Sequence, residues 1–157
     1  KEITDLRPTP GNRTAAAFLP GGKFGTEGQG SIIVVVATDA PLLPHQCKRL
    51  AQRATIGLAR AGGIGADSSG DIFLAFATGN RGLVAGSVDV PATAMATRMV
   101  ANQRLTPLFE ACAEATEEAI LNALCAARTM TGINGRVVHA LPLDRVRALA
   151  ERYRPSI

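Results

Sequence analysis

Two short stretches put nucleophilic and acidic groups where chemistry is feasible. The first is the Gly30-Ser31 junction, between a loop with three glycines (residues 25–30) and the apolar run IIVVVA. Glycine adopts backbone conformations closed to other residues. A strained Gly30-Ser31 peptide would let the Ser31 hydroxyl attack the carbonyl in front of it. Hydrolysis of the resulting ester would free the Ser31 α-amine. An α-amine has a reference pKa of about 7.7–8.0, so it can serve as a general base near neutral pH, one residue's width from the hydroxyl. No histidine is needed, which suits a chain holding only His45 and His139. Neither is pinned to a serine by its position. The plainer alternative is a flexible loop entering a core strand.

The second stretch is DSSGD, residues 67–71. Two hydroxyls and two carboxylates crowd a glycine-containing loop just before another apolar run. The glycine lets the chain turn, so that Ser69 and Asp71 can aim at one point. The structural alternative is an Asx- or Ser-type turn that stabilises the loop.

Other chemistries find little support. The common phosphate-binding motifs place a strand before the glycines and a helix after them, whereas here the strand follows. G-x-G-x-x-G, G-K-[ST] and the nucleophile elbow G-x-S-x-G are all absent. The three cysteines, Cys47, Cys112 and Cys125, show no C-x-x-C spacing. All fall in helical patterns and read as buried thiols of a reducing compartment, with no metal or cofactor implied. The formal net charge is +4, but the basic residues are scattered and there is no Trp to stack on bases. A nucleic-acid partner is not expected. The densest basic patch, Lys48, Arg49, Arg53 and Arg60, reads as the solvated face of one helix. No run approaches the roughly 20 apolar residues of a membrane helix. The opening KEITDLRPTPGNRT has no Met and no apolar signal-peptide core, so the chain reads as a fragment or processed piece, with the cytoplasm the expected location.

The elements that would position these groups follow from periodicity. Residues 1–30 are rich in turn formers, with a short strand possible at 15–19. SIIVVVAT (31–38) and IFLAFAT (72–78) are continuous apolar runs, the pattern of strands covered on both faces. Between them, residues 44–61 repeat apolar positions at helical spacing, and Gly62 and Gly63 end that helix. Residues 81–102 suggest an extended piece and a short helical turn. A long helix begins at Thr106-Pro107, with Leu108, Cys112, Ala115, Ala119, Ala123 and Ala127 as its apolar face, and runs to about Gly132. Its glutamates, Glu110, Glu114, Glu117 and Glu118, gather in the first half, where the helix dipole favours acids. A turn with a short extended piece and a last helix over 142–152 complete a layered α/β protein.

With both stretches in view, GSIIVVVATDAPLLPHQCKRLA, SSGDIFLAFATGN and VVHALPLDRVRAL resemble the C-terminal part of the DmpA-type L-aminopeptidase/D-amidase-esterases of peptidase family S58. The likeness runs from about Gly25 to Tyr153. It implies an αββα sandwich, similar to Ntn hydrolases but differently connected. It also implies a precursor cut between Gly30 and Ser31. Residues 1–30 would then be the tail of the larger subunit, and 31–157 the smaller subunit. Ser31 would be the nucleophile and its own amine the base. Ser69 would hydrogen-bond toward that amine, and Asp71 would orient Ser69. The implied substrates are short peptides, amides and esters, and the implied partners are the larger subunit and further copies, often in a tetramer. Asp71 stands where β-peptidyl relatives tend to have Glu, which favours the L-aminopeptidase/D-amidase branch. The family's oxyanion-stabilising asparagine and ammonium-binding acid have no match in residues 1–30. A transferase of the ornithine acetyltransferase kind is the alternative within this fold, but it uses a threonine nucleophile, and position 31 is serine.

Overall fold

The structure is a computed structural model that describes residues 30–67, 69–83, 95–135 and 137–153. The strand expected at 15–19 lies outside them. The chain divides into two compact units, residues 28–119 and residues 120–157 together with 1–27.

The first unit is built on two parallel strands, β1 (Ile33–Thr38) and β2 (Ile72–Ala77), in the register Ile33↔Ile72 through Thr38↔Ala77. Parallel neighbours need a crossover, and two helices supply it. α1 (Pro44–Ala51) starts with a proline in its first turn, where the missing N–H costs nothing. The single helix expected over 44–61 is broken: the Arg53 N–H bonds to Leu50 O, and the Thr55 hydroxyl takes the Gln52 carbonyl, before α2 (Ala54–Arg60) begins. No glycine or proline marks this break, so the helical spacing runs through it unseen. The stop at Gly62-Gly63 is as expected: Gly62 has φ +98°, its N–H bonds to Ala59 O, and the Gly63 N–H bonds to Leu58 O, closing a Schellman motif.

Residues 102–104 form a 3-10 turn, and residues 95–100 precede it in irregular conformation. Gln46 is fully buried and ties this segment to α1. Its amide donates to Val100 O (2.7 Å) and Asn102 Oδ1 (2.9 Å), and its oxygen accepts from the Leu43 N–H. α3 (Thr106–Ala126) follows, ending about five residues before the expected stop. Its buried side is Cys112, Ala113 and Thr116, with Leu108 and Phe109 packed against the core; Ala115 and Ala119 are exposed. This rotation from the expected face has a cause in α2. A methyl on Gly57 would lie 2.3 Å from Ala113 O and 2.6 Å from Thr116 Cβ, so the bare glycine sets the helices in close contact along Ala113 and Thr116.

The core of this unit comprises Leu42, Cys47, Leu50, Ala54, Leu105 and Cys112, with Val34, Val36, Phe73, Ala75 and Ala77 packed against it. These strand residues form one face of the sheet. The other face, Ile33, Val35, Ile72, Leu74 and Phe76, is exposed, so among the described residues the strands are covered on one side and not on two. The basic patch is also reorganised. Arg49 and Arg53 lie over the Phe109 ring at 5.3 and 4.5 Å, and Arg60, on the next helix, pairs with Glu117 at 3.6 Å. Cys47 and Cys112 are buried as expected; Cys125 is exposed.

In the second unit, β3 (Met130–Thr131) pairs antiparallel with β4 (Val137–Val138). Asn134 and Gly135, at φ 59° and 69°, make the turn between them. α4 (Leu143–Arg152) follows. No described helix is long and apolar enough to cross a membrane.

Candidate functional site

The apolar runs become strands because β-branched and aromatic side chains fill a pleated, packed surface. The polar residues in front of each run therefore lie at the N-terminal ends of β1 and β2. Parallel pairing puts those two ends side by side. The ladder continues one step before the strands, with the Ile72 N–H bonded to Ile32 O at 2.9 Å. Counting back along the register sets Ser31 opposite Gly70 and Ile32 opposite Asp71.

Gly30, Ser31, Ser69 and Asp71, the residues singled out from the sequence, meet at this point. The Gly70 N–H donates to Ser31 Oγ at 2.8 Å. Ser69 Oγ stands 2.6 Å from Asp71 Oδ1 and 2.9 Å from the carbonyl oxygen of Gly30. A hydroxyl has one proton, so it serves one of these acceptors at a time. The 2.6 Å separation is that of a charge-assisted bond to a carboxylate. Asp71 Oδ1 also accepts the Ile32 N–H at 2.9 Å, which fixes the carboxylate to the start of β1. The partner of Ser69 on the β1 side is thus the Gly30 carbonyl, where the family resemblance implied the Ser31 amine. In the continuous chain that nitrogen is part of the Gly30-Ser31 peptide bond.

A cavity of about 250 Å³ adjoins the cluster, lined by Gly30, Ser31, Ile32, Ser69 and Asp71 on one side. Leu58 and residues 62–66 make the rest of its wall. From the sequence, Gly62 and Gly63 were expected only as a helix end, and no wall residue beyond Gly30, the serines and Asp71 was expected to line a site. The backbone donors Gly70 N–H and Ile32 N–H were missed as well, since their role depends on register. A larger groove, about 800 Å³, runs between α1 and the outer edge of β2; it contains none of the four clustered residues. His45 lies in the first turn of α1, and His139 is exposed after β4 in the second unit. Among the described residues no group of His, Cys, Asp and Glu could hold a metal ion.

The arrangement offers an exposed hydroxyl held by a backbone amide, a second hydroxyl bridging a carboxylate and a carbonyl, and an adjoining cavity.

Comparison with known proteins agrees in fold and family. The chain is 48% identical over 149 residues to a beta-peptidyl aminopeptidase of Sphingosinicella microcystinivorans, covering 95% of this chain and 36% of that protein. The chain therefore spans about a third of the length of the curated relatives it matches. A beta-aminopeptidase from a Burkholderia species superimposes with a TM-score of 0.74 at 50% identity, covering 81% of this chain and 36% of that one. The L-aminopeptidase D-Ala-esterase/amidase of Ochrobactrum anthropi, described as a variant of the Ntn hydrolase fold, gives 0.68 at 40% identity, over 78% of this chain and 34% of its own. The layered α/β fold expected from the sequence is the fold of these structures. Residues 5–138 match the profile of peptidase family S58, and on that match the chain belongs to that family.

Proposed function

We propose that this chain carries the nucleophile and proton relay of a self-processing serine aminopeptidase/amidase. Its residues 1–30 are the tail of the larger subunit, and residues 31–157 are the smaller subunit. The observation that carries the reading is the meeting of Gly30, Ser31, Ser69 and Asp71 in one hydrogen-bonded cluster.

Self-cleavage starts with attack of Ser31 Oγ on the Gly30 carbonyl carbon. The C–N bond breaks as the ester forms, and the hydroxyl proton ends on the Ser31 nitrogen. Ser69 Oγ stands beside the Gly30 oxygen, where negative charge develops, and Asp71 holds Ser69 in place. Water then hydrolyses the ester, leaving a Gly30 carboxylate and a free Ser31. In turnover, Ser31 Oγ attacks the substrate carbonyl, and the Ser31 amine takes the proton and passes it to the leaving amine. Water releases the acyl group as a carboxylic acid. The whole site also needs groups from the part of the protein beyond this chain, the larger subunit, and assembly of several copies accompanies it. The substrates are short peptides, amides and esters with a free N-terminal residue.

A β-amino-acid preference is the second reading. The curated relatives are named beta-peptidyl aminopeptidases, which favours it; Asp71, one methylene shorter than Glu, favours the L-aminopeptidase/D-amidase branch.

N-terminal sequencing of the full-length protein tests the core of this reading. A new terminus beginning Ser-Ile-Ile is expected, lost in Ser31→Ala together with hydrolysis of amino-acid anilides. A Ser31→Ala protein that is still cut at this junction removes the assignment. Comparing α- and β-alanyl anilides chooses between the two substrate classes.

A further inference from the structure

Two physical reasons account for the other described glycines of the first unit except Gly30, where an added methyl would meet nothing within 4 Å. At Gly57 and Gly79 an added methyl would lie 2.3 Å from Ala113 O and 2.5 Å from Asp39 O. At Gly62 and Gly65 the backbone has positive φ. Neither reason applies at Gly70. Its φ lies outside the left-handed region, and among the described residues beyond its chain neighbours an added methyl would meet a single atom within 4 Å, the Oγ of Ser31 at 3.6 Å. Neither a positive φ nor a clash demands a glycine here; among the described residues beyond its two chain neighbours, the one atom an added methyl would meet is the Oγ of the proposed nucleophile.

The direction of that space follows from the strands. Side chains alternate along a strand, so Ser31 falls on the side of Ile33, and position 70 on the side of Ile72. Ile33 and Ile72 belong to the exposed apolar face, at 70% and 57% exposure. Position 70 thus shares a side of the sheet with two exposed apolar residues, Ile33 and Ile72. An acyl carbon bonded to Oγ carries its substituents two bonds from that oxygen. Substituents on the side of residue 70 would occupy the volume of a methyl standing 3.6 Å away.

We propose that Gly70 is a specificity-determining position: its N–H holds Ser31 Oγ, and its missing side chain keeps room beside that oxygen for an apolar substituent on the acyl part of the substrate. This rests on Ser31 being the nucleophile.

The test compares the full-length protein with its Gly70→Ala variant. Intact mass first reads the cut between Gly30 and Ser31 in the parent protein; an uncut parent defeats the nucleophile reading and not the role of Gly70 in particular. kcat/KM is then measured for glycyl, alanyl and leucyl anilides. The leucyl-to-glycyl ratio is expected to fall on the order of tenfold to a hundredfold in Gly70→Ala, the scale for one methyl group in an apolar pocket. An unchanged ratio, including an equal loss on all three substrates, overturns the proposal. Acylation of Ser31 by a small and a bulky active ester, followed by intact mass, reads the same selectivity without turnover. There the bulky-to-small rate ratio falls if the proposal holds, and a ratio equal to that of the parent overturns it.

Discussion

The hydroxyl of Ser69 stands 2.9 Å from the carbonyl oxygen of Gly30, although 39 residues separate the two in the chain. The same hydroxyl is 2.6 Å from Asp71, so its single proton lies between a carboxylate and the carbonyl oxygen in front of Ser31, and turns to that oxygen as negative charge grows there. A donor placed where charge develops is worth most when it is already in position before the reaction.

Removing that donor should therefore slow self-cleavage. Ser69→Ala is expected to lower the rate of fragment appearance roughly 100- to 1,000-fold, the usual effect of losing one oxyanion donor. Ser69→Thr, which keeps the hydroxyl, should recover part of it. Asp71→Asn should slow both cleavage and turnover while leaving the circular dichroism spectrum intact, because an amide oxygen can still accept the Ile32 N–H. Time courses on gels and anilide assays measure these effects; parent-like rates in Ser69→Ala would remove Ser69 from the mechanism.

Turnover and self-cleavage should differ in their pH dependence. In the proposed mechanism the Ser31 amine exists only after the cut, and it would act as a base only when unprotonated. kcat/KM should therefore rise with pH through roughly 7.7–8.0, the ordinary range of an α-amine. Fragment formation by the precursor should lack that step. A kcat/KM profile flat from pH 6 to 9 would exclude the amine as base.

Gly57 should be intolerant of any side chain. Alanine is the better helix former by about 1 kcal/mol, but here its methyl would lie 2.3 Å from Ala113 O, a backbone atom that cannot swing aside. Overpacking of this kind costs about 1–3 kcal/mol, so Gly57→Ala should lower Tm by several degrees, and Gly57→Val by more. Thermal melts of the full-length protein decide the sign.

The three thiols should react in a set order. Burial pushes the Cys47 and Cys112 thiols above the usual range, leaving less thiolate at neutral pH. Cys125 is exposed. Alkylation with iodoacetamide, mapped by peptide mass, should modify Cys125 first, with Cys47 and Cys112 reacting only on denaturation. Early modification of Cys112 would show that α3 opens from the core more readily than its packing implies.

Much of this architecture was legible from short-range pattern. The runs IIVVVAT and IFLAFA announce strands because apolar β-branched and aromatic side chains need a packed pleated surface. Gly62-Gly63 announces a helix end because a left-handed residue closes the last turn. The break at Gln52-Arg53 and the buried side of α3 were not legible. The buried side of α3 goes with the close approach of α2 and α3 at Gly57, a contact between residues more than 50 positions apart. The break rests on the bonds of the Arg53 N–H to Leu50 O and of the Thr55 hydroxyl to Gln52 O, which apolar spacing does not reveal.

By itself, then, the sequence determined that a serine follows a glycine at the mouth of one apolar strand, and that a Ser-Gly-Asp run stands at the mouth of another. These are local facts of composition and spacing. Only the tertiary structure decided that the two mouths adjoin, through parallel pairing in the Ile33↔Ile72 register. A shift of one residue would turn every side chain to the opposite face. It would part Ser31 from Gly70, and Gly30 from Ser69. Register is a property of hydrogen bonds between distant segments, and no single stretch of chain contains it.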